Sequence, residues 1–116
     1  MIRVMVEFRK RDGMGSEDLV RYCREVHVPL LFSIPESRLM DDFVVSFPAE
    51  AEGFGRPGFD AMVEISFRSI EDMSEFYESE NFRTLIDPDH ANFIDPESVV
   101  RFLIDDRIVA PSRSDA

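Results

Sequence analysis

The chain has 116 residues and a formal net charge of −11, and 44% of its residues are hydrophobic. This length fits one domain with a single core. An acidic surface repels nucleic-acid phosphates and anionic lipids, so neither is an expected partner. No stretch approaches the roughly 20 apolar residues of a membrane-spanning helix, and we expect neither a membrane anchor nor a signal peptide.

Cys23 is the only cysteine, which excludes an internal disulfide and a cysteine-based zinc site. This usage fits a reducing compartment, and we expect a cytoplasmic protein. The sequence contains no phosphate-binding loop and no dinucleotide fingerprint, so we predict no cofactor. We place the domain at residues 1–109 and expect the small, polar tail at residues 110–116 to be frayed.

The first half of the chain predicts a strand, a helix and a second strand. Residues 2–9 alternate between apolar and polar side chains, as in a half-buried strand. Residues 16–31 place their apolar side chains on one arc of an amphipathic helix, with Ser16 as its predicted N-cap. Pro29 is predicted to end or kink this helix just after His27. Residues 39–47 alternate again as a strand.

The second half predicts a strand, a helix and a final strand. Residues 59–68 alternate after a loop rich in glycine and proline. Ser69 is the predicted cap of a helix that continues in a second piece to residue 86. Asp87 and Pro88 are expected to start a short turn. The last strand is predicted at residues 99–107.

The order β-α-β-β-α-β predicts an α+β, ferredoxin-like fold: a four-stranded antiparallel sheet with both helices on one face. In the last strand we assign Val100, Phe102 and Ile104 to the helix-facing side. The opposite face of the sheet is too apolar, and its charges too well paired, for a face that is left in water. We therefore expect a second copy of the chain to cover it, in a homodimer packed sheet to sheet. That outer face is predicted to carry Arg3, Met5, Glu7, Val44, Met62, Glu64, Val99, Arg101 and Leu103.

Four stretches of the chain resemble the EthD-like family of dimeric α+β barrel proteins. The first stretch is the predicted strand at residues 2–10, which a short glycine turn and a helix follow. Residues 22–30 are similar to the family's helix motif, an aromatic pair followed by Arg-Glu-x-His-x-Pro-Leu. Residues 59–67 are similar to its third strand, and residues 93–95 to the Phe-x-Asp before its last strand.

The resemblance implies a ligand pocket between helices and sheet, with His27 facing it. Relatives with this architecture include cofactor-free polyketide dehydratases and cyclases, muconolactone-type isomerases and small monooxygenases. This sequence departs from the family pattern, since Cys23 and Ser66 stand where tryptophans are usual and Ala61 replaces a glycine. The loss of two indoles removes volume, and either phenylalanine residues refill the space or the pocket differs in size and substrate.

His27 is the predicted general acid–base because an unperturbed imidazole titrates near neutral pH. The alternative is a buried, neutral histidine bonded to a nearby carbonyl. Asp41 is in register with Phe43, which directs it towards the helices, and we predict that it is catalytic and orients His27. The alternative is that the strand starts later and leaves Asp41 exposed.

The predicted substrate-binding residues are Tyr22, Cys23, Leu30, Phe43 and Phe93. Cys23 and His27 are an i, i+4 pair, which fits either a thiolate–imidazole pair or a small cysteine that fills a tryptophan's place. His90 follows two aspartates and precedes Asp95, which allows a metal patch or a solvated turn. The spacing does not match a calcium loop, so we predict a solvated turn and no metal site.

Together these features predict a cofactor-independent enzyme that acts on a small hydrophobic or aromatic compound. Isomerase, dehydratase and monooxygenase chemistry all remain open, in catabolism or in polyketide-like metabolism. The alternative is a non-catalytic dimer that binds a ligand or serves as an accessory protein of a degradation pathway.

Overall fold

The computed structural model describes residues 1–105 and 107–111, so residues 112–116 of the predicted tail lie outside the described part. Four antiparallel strands form one sheet: β1 is Ile2–Phe8, β2 is Met40–Ser46, β3 is Ala61–Phe67 and β4 is Val100–Ile104. Their order across the sheet is β2-β3-β1-β4. Because the helical regions pack on one face, the predicted ferredoxin-like α+β fold is confirmed.

The first helical region has three consecutive segments: α1 (Ser16–Tyr22), a π-helical segment (Cys23–His27) and α2 (Val28–Leu31). The Val28 N–H donates to the Cys23 carbonyl, five residues back. This wider turn accommodates Pro29, which has no N–H and would clash within a regular α-turn. The helix therefore does not end after His27, as one of the two predicted outcomes required, but changes there from π-helical to α-helical and continues to Leu31. The N-cap is Gly15, one residue before the predicted Ser16.

The second helical region starts at the predicted cap. The Asp72 N–H donates to Ser69 Oγ over 3.1 Å, and helix α3 spans Ile70–Glu78. A π-helical segment, Phe82–Ile86, and a 3-10 segment, Asp87–Asn92, follow it. Pro88 stands in the first turn of the 3-10 segment, as predicted. None of the helices in the described part of the chain is long and apolar enough to cross a membrane.

A β-bulge changes the predicted register at the start of β2. Met40 pairs with Phe67 and Asp42 pairs with Ser66, so Asp41 is the extra residue between the two pairs. The bulge turns Met40 towards the helices, where it is buried, and leaves Asp41 exposed. The predicted helix-facing orientation of Asp41 is therefore wrong.

The two faces of β4 are the reverse of the prediction. Phe102 pairs with Met5 on the outer face, whereas Arg101 pairs with Val6 on the face that contacts the helices. Both sides of this strand are largely apolar, so alternation alone could not orient it. Pairing with β1 decides the orientation and places three apolar side chains on the outer face, namely Val100, Phe102 and Ile104.

Candidate active site

A cavity of about 790 Å³ lies between the inner face of the sheet and the two helical regions. Its volume is in the range of small-molecule binding sites. Every strand contributes to its wall, and most of the side chains that line it are apolar or aromatic. Among them are Val6, Phe8, Phe43, Val45, Val63, Ile65, Leu31, Phe76, Tyr77, Phe82, Ile86 and Phe93.

His27 lines this cavity and is anchored from behind by a carboxylate. Its Nδ1 lies 2.8 Å from Oδ2 of Asp89, and the two side chains are only 9% and 10% exposed. His27 ends the π-helical segment, and Asp89 belongs to the 3-10 segment. The contact therefore connects the first helical region to the second.

Asp89 is the centre of a hydrogen-bond network. Its Oδ1 accepts from the Tyr22 hydroxyl and from Nδ2 of Asn92, the latter over 2.9 Å. An ionised carboxylate only accepts, so the proton in the contact with His27 belongs to Nδ1. The other ring nitrogen, Nε2, is then unprotonated, and it accepts no hydrogen bond from any residue in the described part of the chain. Such an imidazole can take up a proton from a ligand in the cavity.

The electrostatics of the pair favour a neutral imidazole beside an ionised carboxylate. Burial lowers the pKa of His27; the hydrogen bond to Asp89 opposes this effect, and the nearby His90 adds to it. Burial alone would raise the pKa of Asp89, but the hydrogen bonds from Tyr22, Asn92 and His27 outweigh it and lower that pKa. Near neutral pH, His27 is therefore a free base held in one tautomer.

The carboxylate that orients His27 is Asp89, and the predicted pairing of His27 with Asp41 is wrong. Asp41 is exposed at the bulge of β2 and is absent from the cavity wall. Asp89 lies 62 residues from His27 along the chain, within a run that we interpreted as a solvated turn. The sequence signal for it was the Asp-x-x-Asn spacing to Asn92, which is typical of a local hydrogen bond.

His90 also lines the cavity, so its assignment to a solvated turn is corrected. Its ring centre lies 4.8 Å from that of His27 and 5.9 Å from that of Phe93. Its Nδ1 lies 3.1 Å from the Asp87 carbonyl oxygen, which accepts the Nδ1 proton. Among the described residues, no group of three or more His, Cys, Asp or Glu side chains is arranged to hold a metal ion.

The five predicted substrate-binding residues divide into two groups. Cys23, Phe43 and Phe93 line the cavity. Tyr22 and Leu30 are not part of the cavity wall. Tyr22 donates a hydrogen bond to Asp89, and Leu30 packs against the core. Burial and the charge of Asp89 raise the pKa of the Cys23 thiol to about 11, so the thiol stays protonated. This favours a space-filling cysteine over a thiolate–imidazole pair.

The fold and this site define a class: small ferredoxin-like α+β proteins with a buried histidine on an apolar cavity. The sequence profile of the EthD domain matches residues 11–97, three quarters of the chain, and the chain belongs to the EthD domain family. No curated protein matches this chain.

Solved structures share the fold. An EthD family protein from Bacillus halodurans superimposes with a TM-score of 0.71 at 14% identity, over 92% of this chain and 99% of its own. An EthD-like protein from Ralstonia eutropha gives 0.67 at 23% identity, over 99% and 96%. A dimeric ferredoxin-like protein of unknown function from Thermobifida fusca gives 0.61 at 14% identity, over 89% and 88%.

We predict that His27 titrates below the value of 6.5 that is usual for histidine, because burial opposes its positive charge. The folded state then binds the proton less readily than the unfolded state, so protonation favours unfolding. The free energy of unfolding carries no penalty from His27 above pH 6.5, where the ring is neutral in both states. It decreases as the pH falls from 6.5 to the lower pKa of the folded state. Long-range ¹H–¹⁵N NMR of the imidazoles measures both the titration and the tautomer. A free-histidine pKa or an Nε2-protonated ring would contradict this prediction.

We also predict that Asp89→Ala lowers the free energy of unfolding by about 2–3 kcal/mol, because it leaves the buried Nδ1 donor of His27 and the half-buried hydroxyl of Tyr22 unpaired. The matched variant Asp41→Ala removes a carboxylate from the exposed bulge and should change stability by less than about 0.5 kcal/mol. Urea unfolding of both variants at neutral pH provides the measurement. Equal losses would show that the network around Asp89 adds no stability.

Proposed function

We propose that this EthD-domain protein is an enzyme that transfers protons on a small, hydrophobic, ring-containing compound, with His27 as the general base. The observation that carries the proposal is the contact between His27 Nδ1 and Asp89, because it leaves Nε2 unprotonated in a residue that lines a largely apolar cavity. The carboxylate also stabilises the imidazolium that forms when the ring accepts a proton. Isomerisation and dehydration both begin with such a transfer.

The wall of the cavity supports a flat, apolar substrate. Phe93 lies 4.6 Å from the His27 ring, centre to centre, and Phe8 and Tyr22 contact Phe93 in turn. Aromatic rings bind flat ligands by offset and edge contacts, and they exclude water from the base. A base in a dry site needs little reorganisation of solvent when charge develops on the substrate.

The proposed active form is a homodimer packed through the outer sheet face. Val100 and Phe102 are 53% and 42% exposed there, beside Met5. An apolar strand face of this kind marks an interaction surface. The Thermobifida fusca neighbour is described as dimeric, and we transfer that assembly to this chain as part of the proposal.

The experiment that tests the activity uses 2-tetralone, a fused-ring ketone whose C–H bonds beside the carbonyl are weakly acidic. In D₂O, a base that removes one of these protons exchanges it for deuterium, and NMR records the loss of signal. We expect saturable exchange that exceeds the rate given by free imidazole at the same concentration. Calorimetric binding of 2-tetralone without such exchange would support the alternative, a non-catalytic ligand-binding protein, and would refute the enzyme.

A further inference from the structure

Arg101 places a positive charge on the wall of the cavity, in a chain whose net charge is −11. It lies on β4 opposite Val6, and its guanidinium carbon lies 4.4 Å from the centre of the Tyr77 ring. A contact of this kind orients the guanidinium, which also interacts with the Tyr77 hydroxyl. Because a guanidinium has five N–H donors, others remain available for a ligand. None of the salt bridges formed within the described ranges involves Arg101.

A continuous series of ring contacts connects this charge to the proposed base. Tyr77 lies 5.0 Å from Phe82, Phe82 lies 6.4 Å from His90, and His90 lies 4.8 Å from His27, all between ring centres. Arg101 and His27 are therefore connected through three ring side chains that line the same cavity. A ligand in this cavity has both a cation and a base on the wall around it.

The other two arginines of the cavity wall have acidic neighbours on the same wall. Arg11 precedes Asp12, and Arg83 is one helical turn before Asp87; all four side chains line the cavity. Neither Arg11 nor Arg83 forms a salt bridge within the described ranges, so ion pairing does not distinguish the three arginines. Arg101 is the one of the three whose guanidinium contacts an aromatic ring, which orients it for a ligand in the cavity.

We propose that Arg101 binds an anionic group of the ligand, and that the cavity selects ring compounds that carry a carboxylate. A planar guanidinium matches the two oxygens of a carboxylate with paired hydrogen bonds. The inference rests on the proposed function in taking this cavity as the substrate site, and it names the substrate class. It requires binding alone, so it can be tested separately from proton transfer.

The test compares two probes of equal shape, the anion 2-naphthoate and the neutral 2-naphthamide, by isothermal titration calorimetry at pH 7.5. In the wild-type protein we expect the naphthoate to bind more tightly than the amide, and more weakly as salt is added. Arg101→Gln should weaken naphthoate binding by about tenfold or more. The same variant should bind naphthamide within about twofold of wild type, which also shows that the cavity is still folded.

The matched control is Arg24→Gln, which removes the same charge from the exposed side of the first helical region. It should leave the preference for naphthoate unchanged, because Arg24 is not part of the cavity wall whereas Arg101 is, although both residues are exposed. An equal loss in Arg24→Gln, or a loss in Arg83→Gln instead of Arg101→Gln, would overturn the assignment to Arg101. If 2-tetralone exchange fails while the naphthoate preference holds, the proposed proton transfer is wrong and this binding site stands.

Discussion

Replacing His27 by alanine is expected to reduce the exchange of 2-tetralone protons by about a hundredfold or more, since a positioned general base contributes at least that much. Binding of 2-tetralone should persist, because the aromatic wall supplies it. The reason for the selective loss is the unprotonated Nε2, which no other group in the cavity replaces in the same position. Exchange by NMR and binding by calorimetry separate the two effects.

Two further variants make the His27 prediction specific. His27→Gln keeps an amide that can donate to Asp89, so the fold is retained while the base is lost. His90→Gln removes the neighbouring imidazole and should cost less than about tenfold, because His90 is bonded to Asp87 at the half-exposed edge of the cavity. If His90→Gln abolished exchange and His27→Ala did not, the assignment of the base would be wrong.

Replacing Phe102 by aspartate is expected to convert the proposed dimer into a monomer. Phe102 lies at the middle of β4 on the outer face, opposite Met5. Because a two-fold axis relates the two subunits, the same substitution occurs once in each half of the interface. Two unpaired carboxylates would therefore be buried. We expect the dimer to weaken by about 4 kcal/mol, which is about a thousandfold in Kd. Analytical ultracentrifugation at micromolar concentration measures the change.

The matched control is Phe54→Asp, which makes the same replacement in the long loop between β2 and β3, at a side chain that is 80% exposed. It should leave the association state as it is in the wild type. A wild-type protein that sediments as a monomer would reject the homodimer. A Phe102→Asp protein that still dimerises would place the interface on another surface.

The positions of the strands and helices could be predicted from local patterns, because side-chain alternation and helical periodicity repeat within a few residues. β1 and β3 begin and end within a few residues of their predicted bounds. Ser69 caps α3 as its hydroxyl and spacing indicated. These features depend only on neighbours along the chain, and so they can be recognised without the fold.

The candidate site could be predicted only in part. The helical arc placed His27 on the buried side, and the resemblance to the family implied the pocket in front of it. Its carboxylate partner was assigned to Asp41, since the alternation of β2 carries no sign of the bulge. Asp89 was missed because its Asp-x-x-Asn spacing indicates only a local hydrogen bond, and a contact across 62 residues leaves no pattern that pairs the two segments.

What the sequence determined by itself is the set of elements, the acidic charge and the inward direction of one imidazole. The tertiary structure decided which carboxylate meets that imidazole, which face of β4 turns outward, and that Arg101 contacts Tyr77 on the cavity wall. The physical reason is that strand pairing and helix packing act between distant segments. A single extra residue in β2 was enough to reverse the direction of the side chains before it, whereas Phe43 and Val45 face the cavity as predicted.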